Sequence, residues 1–445
     1  MTALIRPDTA PAELLIRAAW VLDPRTDLDG PHDVLVRHRI VAQLGAPGTL
    51  APGAETEVIE GDGRHLFPAF FDPHVHLRTP GQEHKEDLQT GTRAAAAGGY
   101  CAVVAMPNTD PVTDSPELLG ALRRRASSEA RVAVGFMAAI TRGLEGHELT
   151  DMVALRDGGA LGFTDDGRPV TDAGVLRRAL QYQRLCGGVL ALHEEDPSLS
   201  GQGAMHEGTV SASLGIAGIP SLSESTMVAR DAALAGYEGG RIHIQHVSCA
   251  ESVAAVAGAR GAGVAITAEA SPHHLLLCDE DVCDLDTRRK CNPPLRAQSD
   301  RRALIDAVRD GTVDAIATDH APHAREDKDV PFEQAAMGTT GLETAFSVLY
   351  SGLVVPGLLS LTTLVTRLTS GAAVLDVPVS RIAVGCPADL CLADLSRRWE
   401  VGESGYVSRS QNSAFAGRGL TSRVLLTVCA GAVAHRDPTP SLTAA

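Results

Sequence analysis

Eight short, nearly unbroken apolar runs recur along the chain, each closing on a polar or histidine-bearing cluster. They cover Leu66 to His76, Cys101 to Asn108, Val132 to Ile140, Ala160 to Asp166, Val189 to Glu194, Arg241 to Val247, Gly263 to Ala270 and Val313 to His320. Runs of this length predict strands buried on both faces. Between them lie segments with helical apolar spacing: Glu86 to Gly98, Ser115 to Ala130, Leu149 to Gly158, Asp172 to Gly187, Ser221 to Gly236, Cys249 to Gly261 and Ser299 to Gly311. Several open on Ser or Asp and close on Gly, as capped helices do. This alternation predicts an α/β fold, a (β/α)8 barrel of TIM type, with chemistry at the C-terminal ends of the strands.

The two ends have a different texture. Residues 1–65 hold short alternating runs broken by Gly, Pro and Asp, and residues 381–445 repeat that pattern. Both are expected to form one small β domain, with residues 66–380 as the barrel, and neither end offers a cluster of potential metal ligands. The closing run from Asp437 to Ala445 reads as a frayed tail.

Composition narrows the function. The formal net charge is -16 over 445 residues, and no basic patch stands out, so nucleic acid is not expected as a partner. No apolar stretch approaches the roughly 18 residues a membrane span needs, and the N-terminus lacks a charged segment followed by an apolar core. Nine scattered cysteines form no C-x-x-C pair. A soluble, reduced, cytoplasmic protein is expected.

The candidate chemistry sits in the clusters. His74 and His76, at i and i+2 near a strand end, point the same way and can grip one metal ion. The pair alone is a weak signal. Asp72 before it, and histidines closing three later strands, turn it into a constellation. His193 and His246 each end an apolar run and can reach the barrel mouth. His243, three residues before His246, reads as structural, while His273 and His274 are spare. Asp319 ends a strand where a carboxylate can bind metal and move a proton. Arg78 is placed to meet an anionic substrate with its guanidinium fork. Asn108 and Asn292, the latter in a loop stiffened by Pro293 and Pro294, read equally well as turn residues or as ligands of a substrate.

Taken together, PAFFDPHVHLRTPG, AAAAGGYCAVVAMPNTDPV, FTDDG, HEGT, GIPSLSES, TAEASPHHLLLCDED, NPPLR and IATDHAPH are similar to the dihydroorotases of the class I bacterial branch of the amidohydrolase superfamily. The resemblance runs from about Val58 to Gly341 and more loosely beyond. It implies a pair of zinc ions, one held by His74 and His76, the other by His193 and His246, with Asp166 bridging and Asp319 serving as ligand and catalytic acid/base. It implies substrate contacts from His76, Arg78, Asn108 and His323, with Asn292 and the Met337-Gly338 backbone around the ring. Two departures from the family pattern stand out: Arg78-Thr79-Pro80-Gly81 has Thr where Glu is usual, and Ala336-Met337-Gly338 replaces Pro-Phe-Gly. The implied reaction is reversible cyclisation of N-carbamoyl-L-aspartate to L-dihydroorotate, the third step of pyrimidine synthesis.

Two other readings carry opposite expectations. Dihydropyrimidinase and allantoinase share the scaffold but bridge their metals with a carbamylated lysine at the end of the fourth strand. The only lysines here are Lys85, Lys290 and Lys328, none of them at that position. A non-catalytic scaffold for aspartate transcarbamoylase would have lost its ligands, whereas every matched ligand is present. A homodimer and an association with aspartate transcarbamoylase are the macromolecular partners the resemblance leaves open.

Overall fold

The computed structural model describes residues 4–438. Residues 439–445, where most of the tail was expected, lie outside them. Eight parallel strands follow one another in chain order: Phe70–Val75, Tyr100–Ala105, Ala133–Ala138, Gly162–Phe163, Val189–Leu192, Arg241–Ile244, Ala265–Ala270 and Ala315–Ile316. The first three are buried at every position, as strands covered on both faces must be. A parallel bridge between Val75 and His320 joins the eighth unit to the first, and His76 N donates to His320 O at 2.9 Å, so the sheet closes.

The crossover helices begin and end where their capping chemistry dictates. Asp87 accepts from Thr90 N at the head of Leu88–Ala97, and Ser115 caps Pro116–Glu129 with proline in the first turn. Leu222–Glu238 and Gln298–Asp310 stop at Gly239 and Gly311, both left-handed. The eighth helix, Leu361–Val374, was not among those read from sequence.

A second, mixed sheet draws strands from both ends of the chain: Leu14–Asp23, Leu28–Arg37, Ile40–Gly45, Glu57–Glu60 and His65–Pro68 from the first, Leu390–Glu400, Gly419–Cys429 and Ala432–Arg436 from the last. It has its own core, including Ile16, Val36, Ile59, Leu390 and Leu426. Two features depart from the sequence expectation. The run from Leu66 to His76 is not one strand. His65–Pro68 pairs antiparallel with residues 390–393 of the terminal sheet, and the barrel strand starts afresh at Phe70. Both halves are apolar, so hydrophobicity gives no break; Pro68, which has no N–H for a ladder, stands at the change of sheet. The connection 401–418, expected to belong wholly to the small β domain, leaves that sheet and meets loops at the C-terminal end of the barrel. There Glu343 accepts from Val407 N and Ser408 N at 3.0 and 3.1 Å.

Candidate metal centre

All six expected metal ligands converge at the barrel mouth. His74 lies within the first strand and His76 just past it. Asp166, His193, His246 and Asp319 stand one to three residues beyond the fourth, fifth, sixth and eighth strands. All are buried. His246 and Asp319 have φ of 31° and 47°, and Arg78 has φ of 55°. Left-handed backbone at three non-glycine residues costs on the order of 1–3 kcal/mol each, and such strain gathers where geometry serves function.

The spacing of the donor atoms tests whether a metal fits. Ligands 2.0–2.1 Å from a tetrahedral ion lie roughly 3.4 Å apart. His74 Nε2 is 3.5 Å from Asp166 Oδ1 and 3.6 Å from Asp319 Oδ1. His76 Nε2 is 3.1 Å from Asp319 Oδ1 and 3.5 Å from Asp166 Oδ2. His193 Nδ1 and His246 Nε2 are 3.0 Å apart and each lies 3.6 Å from Asp166 Oδ1, the oxygen that His74 also meets. Atoms that would otherwise pair with hydrogen-bond partners are thus set at the edges of coordination polyhedra. Buried imidazoles and carboxylates in this arrangement fit a divalent cation.

Electrostatics support the same reading. Burial works against a charged Asp166, yet His74, His193 and His246 together hold it well below the usual carboxylate range. Burial likewise opposes charge on Asp319, and His76 with the other histidines outweighs it. Asp166 and Asp319 are therefore anionic, as carboxylates that hold a cation must be.

The candidate ligands are oriented by a layer of side chains beneath them. His74 donates from Nδ1 to Glu269 Oε1 at 2.8 Å, leaving Nε2 for a metal. The other oxygen of Glu269 accepts from His243 Nε2 at 3.1 Å, and His243 Nδ1 meets Thr267 Oγ1 at 2.9 Å. His243 is thus structural, as its facing suggested. Burial raises the pKa of Glu269, but His243 and His74 bring it down to about 2. Its importance was missed in the sequence because a glutamate inside an apolar strand has no distinguishing spacing. His76 is held through Nδ1 by Asn108 Oδ1 at 2.9 Å, and Asn108 Nδ2 donates to Asp166 Oδ2 at 3.2 Å.

Adjacent aspartates divide the work in the fourth cluster. Asp166 faces the histidines, while Asp165 accepts from Ile140 N at 2.8 Å, Thr141 N at 3.0 Å and the Thr141 hydroxyl. Asp165 is therefore a brace between neighbouring loops. Asp72 is likewise a brace: it accepts from His74 N and from the backbone and hydroxyl of Thr318, and burial lifts its pKa to about 7.

The remaining candidates ring the centre. Arg78 Nε donates to Pro322 O at 3.1 Å, and its Nη2 stands 3.5 Å from His323 Nε2. His323 Nε2 donates to Met337 O at 2.8 Å. Burial and the neighbouring guanidinium push the imidazole of His323 down to about 3, so its ring is neutral. A side chain at Gly338 would bring a Cβ to 2.7 Å from Ala321 Cβ and 3.0 Å from His323 Nε2, so the Met337-Gly338 turn needs glycine. Asn292 Nδ2 donates to Glu195 Oε2 at 2.5 Å, on the His193 side. His274 is spent on holding that loop, through Pro293 O at 2.9 Å and Ser271 Oγ at 2.7 Å. Beside these residues a cavity of about 700 Å³ is lined by His84, Arg288, His323, Arg409 and Asn412.

Residues 63–252 match the protein family described as Dihydro-orotase-like. Over 427 residues, 95% of this chain and 98% of the relative, the sequence is 43% identical to a dihydroorotase of Anaeromyxobacter dehalogenans. The chain belongs to the dihydroorotase family. A dihydroorotase of Pelotomaculum thermopropionicum is 42% identical over 96% of the chain. Among solved structures, the L-hydantoinase (dihydropyrimidinase) of Arthrobacter aurescens superposes with a TM-score of 0.85 at 24% identity, over 95% of this chain and 96% of that one. The dihydropyrimidinase of Brevibacillus agri gives 0.81 at 22%. At such identities the likeness shows a shared fold. The family is a metal-dependent one of amidohydrolase type, in keeping with the donor cluster. Among the described residues no helix is long and apolar enough to cross a membrane, and all nine cysteines are free thiols.

Proposed function

We propose that this chain is a binuclear zinc dihydroorotase that interconverts L-dihydroorotate and N-carbamoyl-L-aspartate in cytoplasmic pyrimidine synthesis. The observation that carries the two-metal reading is Asp166, whose carboxylate stands between two donor groups, with Oδ2 facing His76 and Oδ1 facing His193, His246 and also His74. One group is His74, His76 and Asp319; the other is His193 with His246. Two divalent cations held there would acidify a water and polarise the ring carbonyl.

The protein's own groups do the rest. Asp319 accepts the proton of the attacking water and returns it to the departing ring nitrogen, acting as base and then as acid. Arg78 offers its fork to the ring carboxylate and His323 closes that side. Arg78 Nη2 stands 3.5 Å from His323 Nε2, whose N–H is given to Met337 O, so the guanidinium keeps its donors there for an anion. Asn108, held through Nδ2 to Asp166 Oδ2 at 3.2 Å and Asp166 O at 3.4 Å, stands with Arg78 and His323 on the carboxylate side. Asn292 and the Met337-Gly338 backbone border the ring. Asn292 also ties to Glu195, whose Oε2 lies 3.6 Å from His193 Nε2.

The fold neighbours point to hydantoinase chemistry as the second reading, and the lysines argue against it. Lys85 Nζ pairs with Asp327 at 3.0 Å, Lys290 Nζ donates to Glu333 O at 2.9 Å, and Lys328 Nζ donates to Thr287 O, Lys290 O and Ala336 O. None stands at the end of the fourth strand, where a carbamylated lysine would sit and where this chain has Asp166. Ring opening of L-dihydroorotate, measured beside dihydrouracil and hydantoin, tests the assignment. The expected result is a kcat/KM at least about 100-fold higher for the carboxylate-bearing ring; faster turnover of dihydrouracil would reverse it.

A further inference from the structure

The connection 401–418 brings a terminal segment to the catalytic face, and its role divides between two parts. Residues 407–410 are anchors. Glu343 takes Val407 N and Ser408 N, Glu86 takes the Ser408 hydroxyl and Arg409 N, and Ser410 Oγ donates to Lys85 O at 2.7 Å. Asn412 does something else. Its side chain, on a residue 4% exposed, accepts from His323 N at 3.1 Å through Oδ1. Through Nδ2 it donates to Ala321 O at 3.0 Å and Gly338 O at 3.1 Å. Its backbone carbonyl receives Thr339 Oγ1 at 3.0 Å.

We propose that Asn412 is a positioning residue for substrate recognition: it sets the distance between the loop that carries His323 and the Met337-Gly338 turn, and so the shape of the carboxylate side of the pocket. The inference rests on the carboxylate-holding roles given above to Arg78 and His323. Three features favour it over a staple that merely fastens the segment. The segment has its own anchors at Glu343, Glu86 and Lys85. The side-chain amide of Asn412 is spent on the two substrate-facing loops, one bond to each backbone group. Asn412 bonds the two loops next to their contacts nearest the pocket, Ala321 N to Thr339 O at 2.9 Å and His323 Nε2 to Met337 O at 2.8 Å. Their other bonds, Ala336 N to Asp327 O at 3.0 Å, Lys328 Nζ to Ala336 O at 2.6 Å and Gly341 N to His320 Nδ1 at 3.1 Å, lie to either side. An amide is the one short side chain that can accept from a backbone N–H and donate to two carbonyls at once.

The test is steady-state kinetics on L-dihydroorotate with the metal-loaded full chain, together with bound-metal analysis and thermal melting. Asn412→Ala is expected to raise KM about tenfold or more, with kcat within about threefold and metal content unchanged. Asn412→Asp keeps the size and the acceptor for His323 N but faces two carbonyls without a donor, so it is expected to raise KM as well and stands in if the alanine variant fails to fold. Combined with Arg78→Lys, either variant should add less than its separate effect, because both act on one carboxylate. An unchanged KM in a folded variant, a loss carried by kcat or metal content, or full additivity with Arg78→Lys would overturn the proposal. If Arg78→Lys itself leaves KM unchanged, the carboxylate assignment has failed instead; a raised KM there beside a normal Asn412→Ala defeats this inference alone.

Discussion

The adjacent pair Asp165 and Asp166 shows how much of the centre a single residue decides. Alternation along a strand says that they face opposite ways and not which way; family resemblance pointed to Asp166, and the geometry sets its oxygens 3.5–3.6 Å from four histidines while Asp165 binds the loop at Ile140 and Thr141. Asp166→Ala should therefore lose bound metal and activity. Asp165→Ala should keep its metal but lose about 3 kcal/mol of stability, since it strands two buried N–H groups and a hydroxyl; metal analysis and denaturant melts on both variants separate the two. In the proposed reaction Arg78 and Asp319 divide binding from chemistry. Arg78→Lys gives up the planar fork and should raise KM by about 10-fold or more, whereas Asp319→Asn should cut kcat by at least about 100-fold with little change in KM. Histidine spacing and strand ends made four candidate ligands legible in the sequence. Glu269 and Asn412 were not, because a lone carboxylate in an apolar strand and a lone amide in a loop become meaningful only once the fold sets them beside His74 and His323.

At the scale of elements, the strands and helices announced themselves by period and capping, and their ends did not. The fourth and eighth barrel strands shrink to Gly162–Phe163 and Ala315–Ile316, because their ligands stand on backbone that has already left the ladder. The split at Pro68 and the excursion of 401–418 were invisible for a related reason: a strand that changes sheets and a loop that crosses to another domain are decided by distant partners. Glu86 is one such partner. Wholly buried, it accepts from the Thr90 and Ser408 hydroxyls and from Arg409 N, and it meets His320 Nε2 at 3.3 Å, directly after Asp319. Burial raises its pKa, but His320 and these donors bring it below the ordinary value. Glu86→Ala should cost about 3 kcal/mol in a denaturant melt and loosen the 407–412 segment, seen as faster amide exchange there.

At the scale of the molecule, barrel and terminal sheet are interdependent. The sheet shares its His65–Pro68 strand with the approach to His74, and its 401–418 connection lends Asn412 to the pocket. The barrel architecture was legible because eight units repeat one pattern; this interdependence was not, because the two ends of the chain resemble each other only in texture. In the proposed centre Asp166 takes the bridging place, and a carboxylate there needs no carbon dioxide. The decisive measurement is therefore a zinc titration of the metal-free protein in carbon-dioxide-free buffer, followed by L-dihydroorotate ring opening. Activity should rise to a plateau at two equivalents of zinc per chain without bicarbonate. A plateau at one equivalent, or activity that returns only when bicarbonate is added, would contradict the account.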